Sequence, residues 1–314
     1  MYKVLLVLPF IFLLQTVNAQ QDPQYSQYMH NIMAFNPGYA GSKDAICAAL
    51  LHREQWVGFN GAPATSVFHI NAPVKPFKIN SGIGLTITND ILGFNNNLGM
   101  NFAYAYRLNI KNGEGKLGIG ISGGFQNQAI SKDAVFNTPG GTNPGNDQAI
   151  PKANDSGMSY DINFGLFYKT ENLYLGVSST HITEPKIKLG ESKSTLKRHY
   201  YLTVGYDLYL TNPAFEFQPS LLVTSVGSSS DFDASGMLVY NKKIWGGVSY
   251  RLGAAIVGMM GLELLNGIKI GYSYDFGTSD IRKTNTGSHE FMVSYCFNIV
   301  KDKIPRKYKS VRFL

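Results

Sequence analysis

The chain predicts an all-β fold: a transmembrane antiparallel β-barrel of about 14 strands with a short N-terminal hatch-like segment. Three observations predict it. From Leu98 to Leu108 every second residue is large and apolar (Leu98, Met100, Phe102, Tyr104, Tyr106, Leu108), and the residues between are small or polar. Strict alternation over about ten residues is a strand with two unlike faces. Beyond the first residues no stretch suits a helical span, because the longest apolar run, Leu252 to Leu262, is broken by Gly253, Gly258 and Gly261. A membrane protein without helical spans must satisfy its backbone in a closed barrel. The chain also holds 33 Gly and 19 Tyr. That composition suits a barrel wall with aromatics at the lipid–water boundary better than a secreted β-sandwich.

The elements follow in order. Lys3, the apolar run Val4–Leu14 and the small-residue triplet Val17-Asn18-Ala19 read as a signal peptide over 1–19, cleaved to leave Gln20 first. The run is shorter than the roughly 20 residues a membrane anchor needs. Residues 20–44 form a separate opening segment, 45–299 the barrel and 300–314 a basic tail expected in the periplasm. Within 45–299 the alternation places strands near 45–56, 64–73, 81–89, 97–109, 115–128, 158–170, 172–182, 198–211, 215–226, 231–241, 244–252, 255–265, 267–277 and 288–299. The strand at 255–265 alternates least clearly. Every second connection is short, and the others include the long stretches Ala129–Gly157, Thr183–Lys197 and Thr278–Gly287. Short turns on one rim and long loops on the other are the pattern of outer-membrane barrels, with the long set outside. Hence the expected location is the outer membrane, with its lipid as a partner.

The net charge of +7 does not point to nucleic acid. Lys301, Lys303, Arg306, Lys307, Lys309 and Arg312 crowd the tail, and no nucleic-acid module is present. The six His show neither HxxH nor HExxH spacing, and no phosphate loop or GxSxG occurs, so no metal, cofactor or enzyme is expected. Ser288 and His289 are adjacent, which in a strand puts them on opposite faces. Arg53, Gln55, Arg107, Asp161, Lys169, Asp207, Asp275 and Glu290 alternate with the lipid-facing set and are expected in the lumen, where opposite charges brace one another.

In the opening segment Tyr25, Tyr28, Met29, Ile32 and Phe35 recur at helical spacing, so a short amphipathic helix is expected over 24–35, stopped by Asn36-Pro37-Gly38. Its apolar face needs the barrel mouth or a periplasmic partner. These residues, with Asn36, Pro37 and Gly41, are the plug or partner-binding candidates. Cys47 near the start of the first strand and Cys296 near the end of the last fall towards the same rim of the seam. Neighbouring strands lie about 4.8 Å apart, within disulfide reach. A disulfide stapling the seam and two unpaired side chains in a packed wall both remain open.

The opening Gln21-Asp22-Pro23-Gln24-Tyr25-Ser26-Gln27-Tyr28-Met29 and Phe35-Asn36-Pro37-Gly38-Tyr39-Ala40-Gly41-Ser42 resembles that of the PorP/SprF family of type IX secretion outer-membrane proteins. Arg53-Glu54-Gln55-Trp56, where the family more often has Asn at the place of Glu54, Gly271-Tyr272-Ser273-Tyr274-Asp275, Gly287-Ser288-His289-Glu290 and Arg312-Phe313 extend the resemblance over nearly the whole mature chain. It implies a non-enzymatic barrel supporting secretion or surface anchoring of cargo with a C-terminal secretion domain, such as the large adhesin of gliding bacteria. It implies partners among other type IX components, periplasmic ones included. The family is similar in outline to FadL-type barrels, so the alternative is a conduit for small hydrophobic molecules.

Overall fold

The computed structural model describes residues 22–110, 114–130, 155–189, 192–227, 229–265 and 267–298. The signal peptide, most of the longest connection and the basic tail lie outside these residues.

Among the described residues seventeen strands form, beginning with β1 (Ala45–Glu54), β2 (Ala64–Val74), β3 (Ser81–Leu92), β4 (Asn95–Ile110), β5 (Gly115–Ile130), β6 (Asp155–Lys169) and β7 (Leu173–Thr180). A small hairpin follows, β8 (Lys186–Leu189) and β9 (Ser192–Thr195). The wall resumes with β10 (His199–Tyr206), continued by the two-residue β11 (Leu208–Tyr209). It finishes with β12 (Phe215–Val226), β13 (Ser229–Tyr240), β14 (Ile244–Arg251), β15 (Ala255–Glu263), β16 (Lys269–Gly277) and β17 (Ser288–Asn298). Counting β10 and β11 as one staggered strand and setting the hairpin aside leaves fourteen wall strands. Every neighbour pairs antiparallel, and β1 against β17 closes the ring. The weakly alternating stretch is a full strand, β15, and the loop 183–197 holds the β8–β9 hairpin that the alternation did not show.

The pleat sorts the side chains as a lipid solvent requires. On β4 Phe102, Tyr104 and Tyr106 point out while Ala103, Ala105 and Arg107 are buried inside. The long connections 55–63, 131–154, 181–198 and 278–287 all leave one rim, called here the loop rim, and only short connections leave the other, the turn rim.

Residues 22–44 do not precede the barrel but lie within it, touching β1 to β7, β10, β12, β13, β14, β16 and β17. They run from Asp22, beside His181 and His199 at the loop rim, to Ala40 and Gly41, beside β2 and β3 at the turn rim. The expected amphipathic helix over 24–35 is absent. Two 3₁₀ turns stand there instead, Tyr28–His30 and Ile32–Ala34, and a third follows at Pro37–Tyr39. An amphipathic helix needs a wet face, and this segment has little: Ser26, Gln27 and Asn31 are as buried as Tyr28 and Ile32. Tight turns let polar side chains and backbone groups reach the wall on every side.

Candidate functional site

The site is the lumen where the opening segment meets the wall. Its centre is a charge network drawn from β1, β17, β16, β14 and β13, around the seam. Arg53 of β1 donates Nη2–H to Asp275 of β16 at 2.7 Å and Nη1–H to Glu290 of β17 at 3.5 Å. Arg251 of β14 bonds Asp233 of β13 at 2.9 Å and Asp275 at 3.3 Å. These groups are nearly sealed from solvent, Glu290 wholly so. Buried ions in such surroundings must be paired and hydrogen-bonded.

The opening segment completes that pairing. Glu290 accepts the backbone N–H of Ser26 on Oε2 and of Gln27 on Oε1, each at 2.7 Å. The Ser26 hydroxyl donates to Asp275 at 2.6 Å and accepts from Arg53 at 2.6 Å. Arg251 reaches the Tyr25 carbonyl at 3.5 Å. Thus one turn of the segment bonds into a network drawn from five wall strands.

The apolar candidates gather as a core around it. Tyr25, Tyr28, Ile32 and Phe35 belong to one buried cluster with Leu51, Val67, Phe167, Tyr201 and Leu222 of the wall. Met29 packs against this cluster and against a second one built on Trp245 and Met292. Phe35 stacks on Tyr201 and Tyr39 meets Phe167 edge-on, both with ring centroids 5.0 Å apart. The Tyr28 hydroxyl lies 3.0 Å from Ser220 and from Ser235, so its polar tip is satisfied.

Asn36-Pro37-Gly38 rests on bare backbone. The register aligns Gly82, Ala105, Gly120 and Gly165 side by side across β3, β4, β5 and β6. A Cβ on Gly120 would stand 2.3 Å from Gly38 N, and one on Gly165 would stand 2.1 Å from Asn36 Oδ1. Asn36 caps its own turn by accepting from the Gly38 N–H at 2.9 Å and donates to the Leu166 carbonyl at 3.1 Å. Arg107 donates to the Ala40 carbonyl at 3.0 Å, and Asn71 accepts from the Gly41 N–H at 3.1 Å. Gly41 has φ +67° against β3 backbone, a position closed to other residues by both conformation and space.

At the loop rim Asp22 holds the other end. Its carboxylate accepts from Thr180 at 2.9 Å and Tyr201 at 2.8 Å and lies 2.8 Å from His181 Nε2, while its N–H donates to His199 Nε2 at 3.0 Å. Burial alone would raise the Asp22 pKa, but His181 and His199 hold it well below the usual carboxylate range. Burial likewise opposes a charge on His181, yet Asp22 and Asp161 outweigh it and push its pKa up to about 10.

Of the expected lumen residues, Arg53, Asp275 and Glu290 come together, whereas Arg107 serves the far end of the segment and Asp161 backs His181. Gln55 departs from expectation: it lies one residue past β1, half-buried, its N–H donated to the Pro63 carbonyl, because the strand ends at Glu54. Lys169 and Asp207 are only half-buried, at strand ends. Cys47 and Cys296 are direct partners across the β1–β17 seam and form a disulfide, with Cα atoms 4.0 Å apart. Sequence reasoning missed Asp22, Ser26, His181, His199, Asp233 and Arg251. Asp233 and Arg251 did carry a signal, since each alternates with an outward apolar neighbour, Phe232 and Tyr250.

The description "Type IX secretion system membrane protein PorP/SprF" belongs to the family profile that matches residues 17–295. The chain belongs to the PorP/SprF family. It is thus an outer-membrane barrel of the type IX secretion system. No curated protein sequence matches it. Among solved structures this PorP/SprF chain is similar in fold to the Ralstonia pickettii toluene transporter TbuX, at 12% identity and TM-score 0.50, covering 84% of this chain and 92% of that one. A Pseudomonas aeruginosa FadL homologue (11% identity, TM-score 0.43, covering 82% and 89%) and Omp33 of Acinetobacter baumannii (8%, 0.44, 81% and 99%) are more distant.

Proposed function

We propose that this barrel is a plugged, non-enzymatic anchor that supports secretion or surface retention of a cargo protein through its C-terminal secretion domain, a large gliding-linked adhesin being one such cargo. Residues 22–44 are its plug, and the loop rim faces the outside. The observation that carries this reading is Glu290 holding the Ser26 and Gln27 backbone at the centre of the lumen. A segment pinned through its main chain, and seated on a glycine row at its other end, fills the passage instead of gating it. The wall's apolar inner patch is taken up by Tyr28, Ile32 and Phe35. A conduit for small hydrophobic molecules would need that patch free.

The test is a chromosomal deletion with complementation. Anchoring predicts that secreted C-terminal-domain cargo leaves the cell surface and collects in the medium or the periplasm. Unchanged cargo display, with slower uptake of a small hydrophobic compound, would transfer the assignment to the conduit reading. Affinity capture of the tagged barrel from cross-linked membranes then identifies the cargo and any periplasmic components beside it.

A further inference from the structure

The two histidines around Asp22 are arranged in a way the plug does not require. Asp22, His181 and His199 each offer a donor atom, and these atoms lie within 4.8 Å of one another. The Nε2 atoms of both rings face Asp22, His181 at 2.8 Å from Oδ1 and His199 at 3.0 Å from the backbone N. Of their other nitrogens, His181 Nδ1 lies 2.9 Å from Asp161 Oδ2 as an ion-pair contact, and His199 Nδ1 lies 2.9 Å from the Lys197 carbonyl oxygen and 3.7 Å from Asp22 Oδ2. A carboxylate or a carbonyl on the rear nitrogen is the arrangement that orients metal-binding imidazoles and fixes their tautomer. The cluster also opens on a cavity whose walls carry Asp90, Asp161, Asp231 and Asp233. The cavity supplies an entry path.

We propose that Asp22, His181 and His199 bind one divalent transition-metal cation, with zinc the preferred ion. Two imidazoles and one carboxylate suit zinc, cobalt, nickel or copper and not calcium or magnesium, which take oxygen ligands. Three protein ligands leave the fourth tetrahedral position to water from the cavity. Binding replaces the proton shared between His181 Nε2 and Asp22 and draws the donors closer, towards the roughly 3.3 Å edges of a tetrahedron with bonds near 2.0 Å. Asp22 then gives up its N–H bond to His199. The ion would clip the opening segment to β7 and β10 at the loop rim, and it does so whether or not the barrel conducts. No short-range motif marks this site, since one ligand is on the opening segment and the others flank the loop between β7 and β10.

The test uses the full-length protein in detergent, stripped with chelator and titrated with zinc. One equivalent of zinc per chain is expected, as is the visible absorption of a tetrahedral site on cobalt loading. His181→Ala and His199→Ala should each weaken binding at least 100-fold. Asp161→Asn should weaken it about 10–100-fold, the usual cost of losing a metal histidine's rear partner. His52→Ala, on the outer face of β1, should leave it unchanged. Heat-modifiable gel mobility reports whether each variant is folded. Where a histidine variant fails to fold, X-ray absorption on the zinc-loaded unmodified protein decides, with two imidazole ligands expected. No stoichiometric binding, binding unaffected by both histidine changes, or fewer than two imidazoles around zinc would each overturn the proposal.

Discussion

Glu290 holds Ser26 by its main chain. The carboxylate Oε2 accepts the Ser26 N–H at 2.7 Å although 264 residues separate the two. A bond to a backbone N–H ties the carboxylate to a position of the chain and not to a side chain, so substitutions at Ser26 other than proline keep the donor. The carboxylate itself can be removed, and the first prediction rests on that.

Glu290→Gln keeps the shape and removes the charge. Arg53 loses one of its two carboxylate partners, and the amide NH2 faces one of the two N–H groups of Ser26 and Gln27 while the amide oxygen can accept from only the other. Breaking a buried pair this way typically costs ~3–5 kcal/mol. The barrel wall should persist, because its ladders are untouched, while amide exchange over 22–42 accelerates by two or more orders of magnitude. Unchanged exchange in that segment would mean that the network is bystander packing.

The glycine row predicts a contrast within one residue type. Gly120→Ala and Gly165→Ala push a methyl into atoms of the opening segment at 2.3 Å and 2.1 Å. Gly120 faces the Pro37 and Gly38 backbone, and Gly165 faces the Asn36 side chain, which is itself hydrogen-bonded on both ends, so each should cost ~1–3 kcal/mol, the usual range for overpacking. Gly258→Ala on β15, with nothing within 4 Å of its Cβ, should be silent. Thermal unfolding of the three variants side by side checks it.

The seam disulfide should be measurable without a structure. Denatured, unreduced protein should show no free thiol, since Cys47 and Cys296 are joined. Cys47→Ser should lower stability by ~2–4 kcal/mol, the usual contribution of a native cross-link. Two titratable thiols in the oxidised protein would contradict the pairing.

Acid should loosen the opening segment through His30. Burial, with Lys43 and Lys269 adding to it, pushes His30 from 6.5 down to about 3. Its ring packs against Trp245 at 5.7 Å, with Nε2 unpaired. A depressed histidine pKa means that the released chain binds a proton which the docked one refuses. The His30 contribution is therefore whole above pH 6.5 and lost as pH falls towards 3. His30→Phe should flatten the difference in 22–42 protection between pH 7 and pH 4.5. If acid sensitivity is the same with and without His30, this assignment fails.

Much of the wall was legible from the sequence, and the reason is physical. Lipid accepts no unpaired backbone and few outward charges, so each strand had to alternate, and β4 and β6 announce themselves by Phe102 or Phe164 beside Ala103 or Asn163. The Cys47–Cys296 register was within reach because both lie near the ends of the strands that must meet. The lumen was harder. Tyr25, Tyr28 and Ile32 look like one face of a helix only if the residues between are wet, and Gln27 and Asn31 are buried too. No local spacing joins Asp22 to His181, or Ser26 to Glu290. Such pairs depend on a segment threading the closed ring, which only the three-dimensional register reveals. The small β8–β9 hairpin was missed because a strand pair within a loop has no lipid face to impose a pattern.

The central claim is that residues 22–42 occlude the barrel, and single-channel conductance in planar bilayers tests it most directly. The full-length protein should be closed or nearly so, and a deletion of 22–42 with its β1–β17 seam disulfide intact should open a stable, ion-conducting pore. Equal conductance of the two folded proteins would contradict the account.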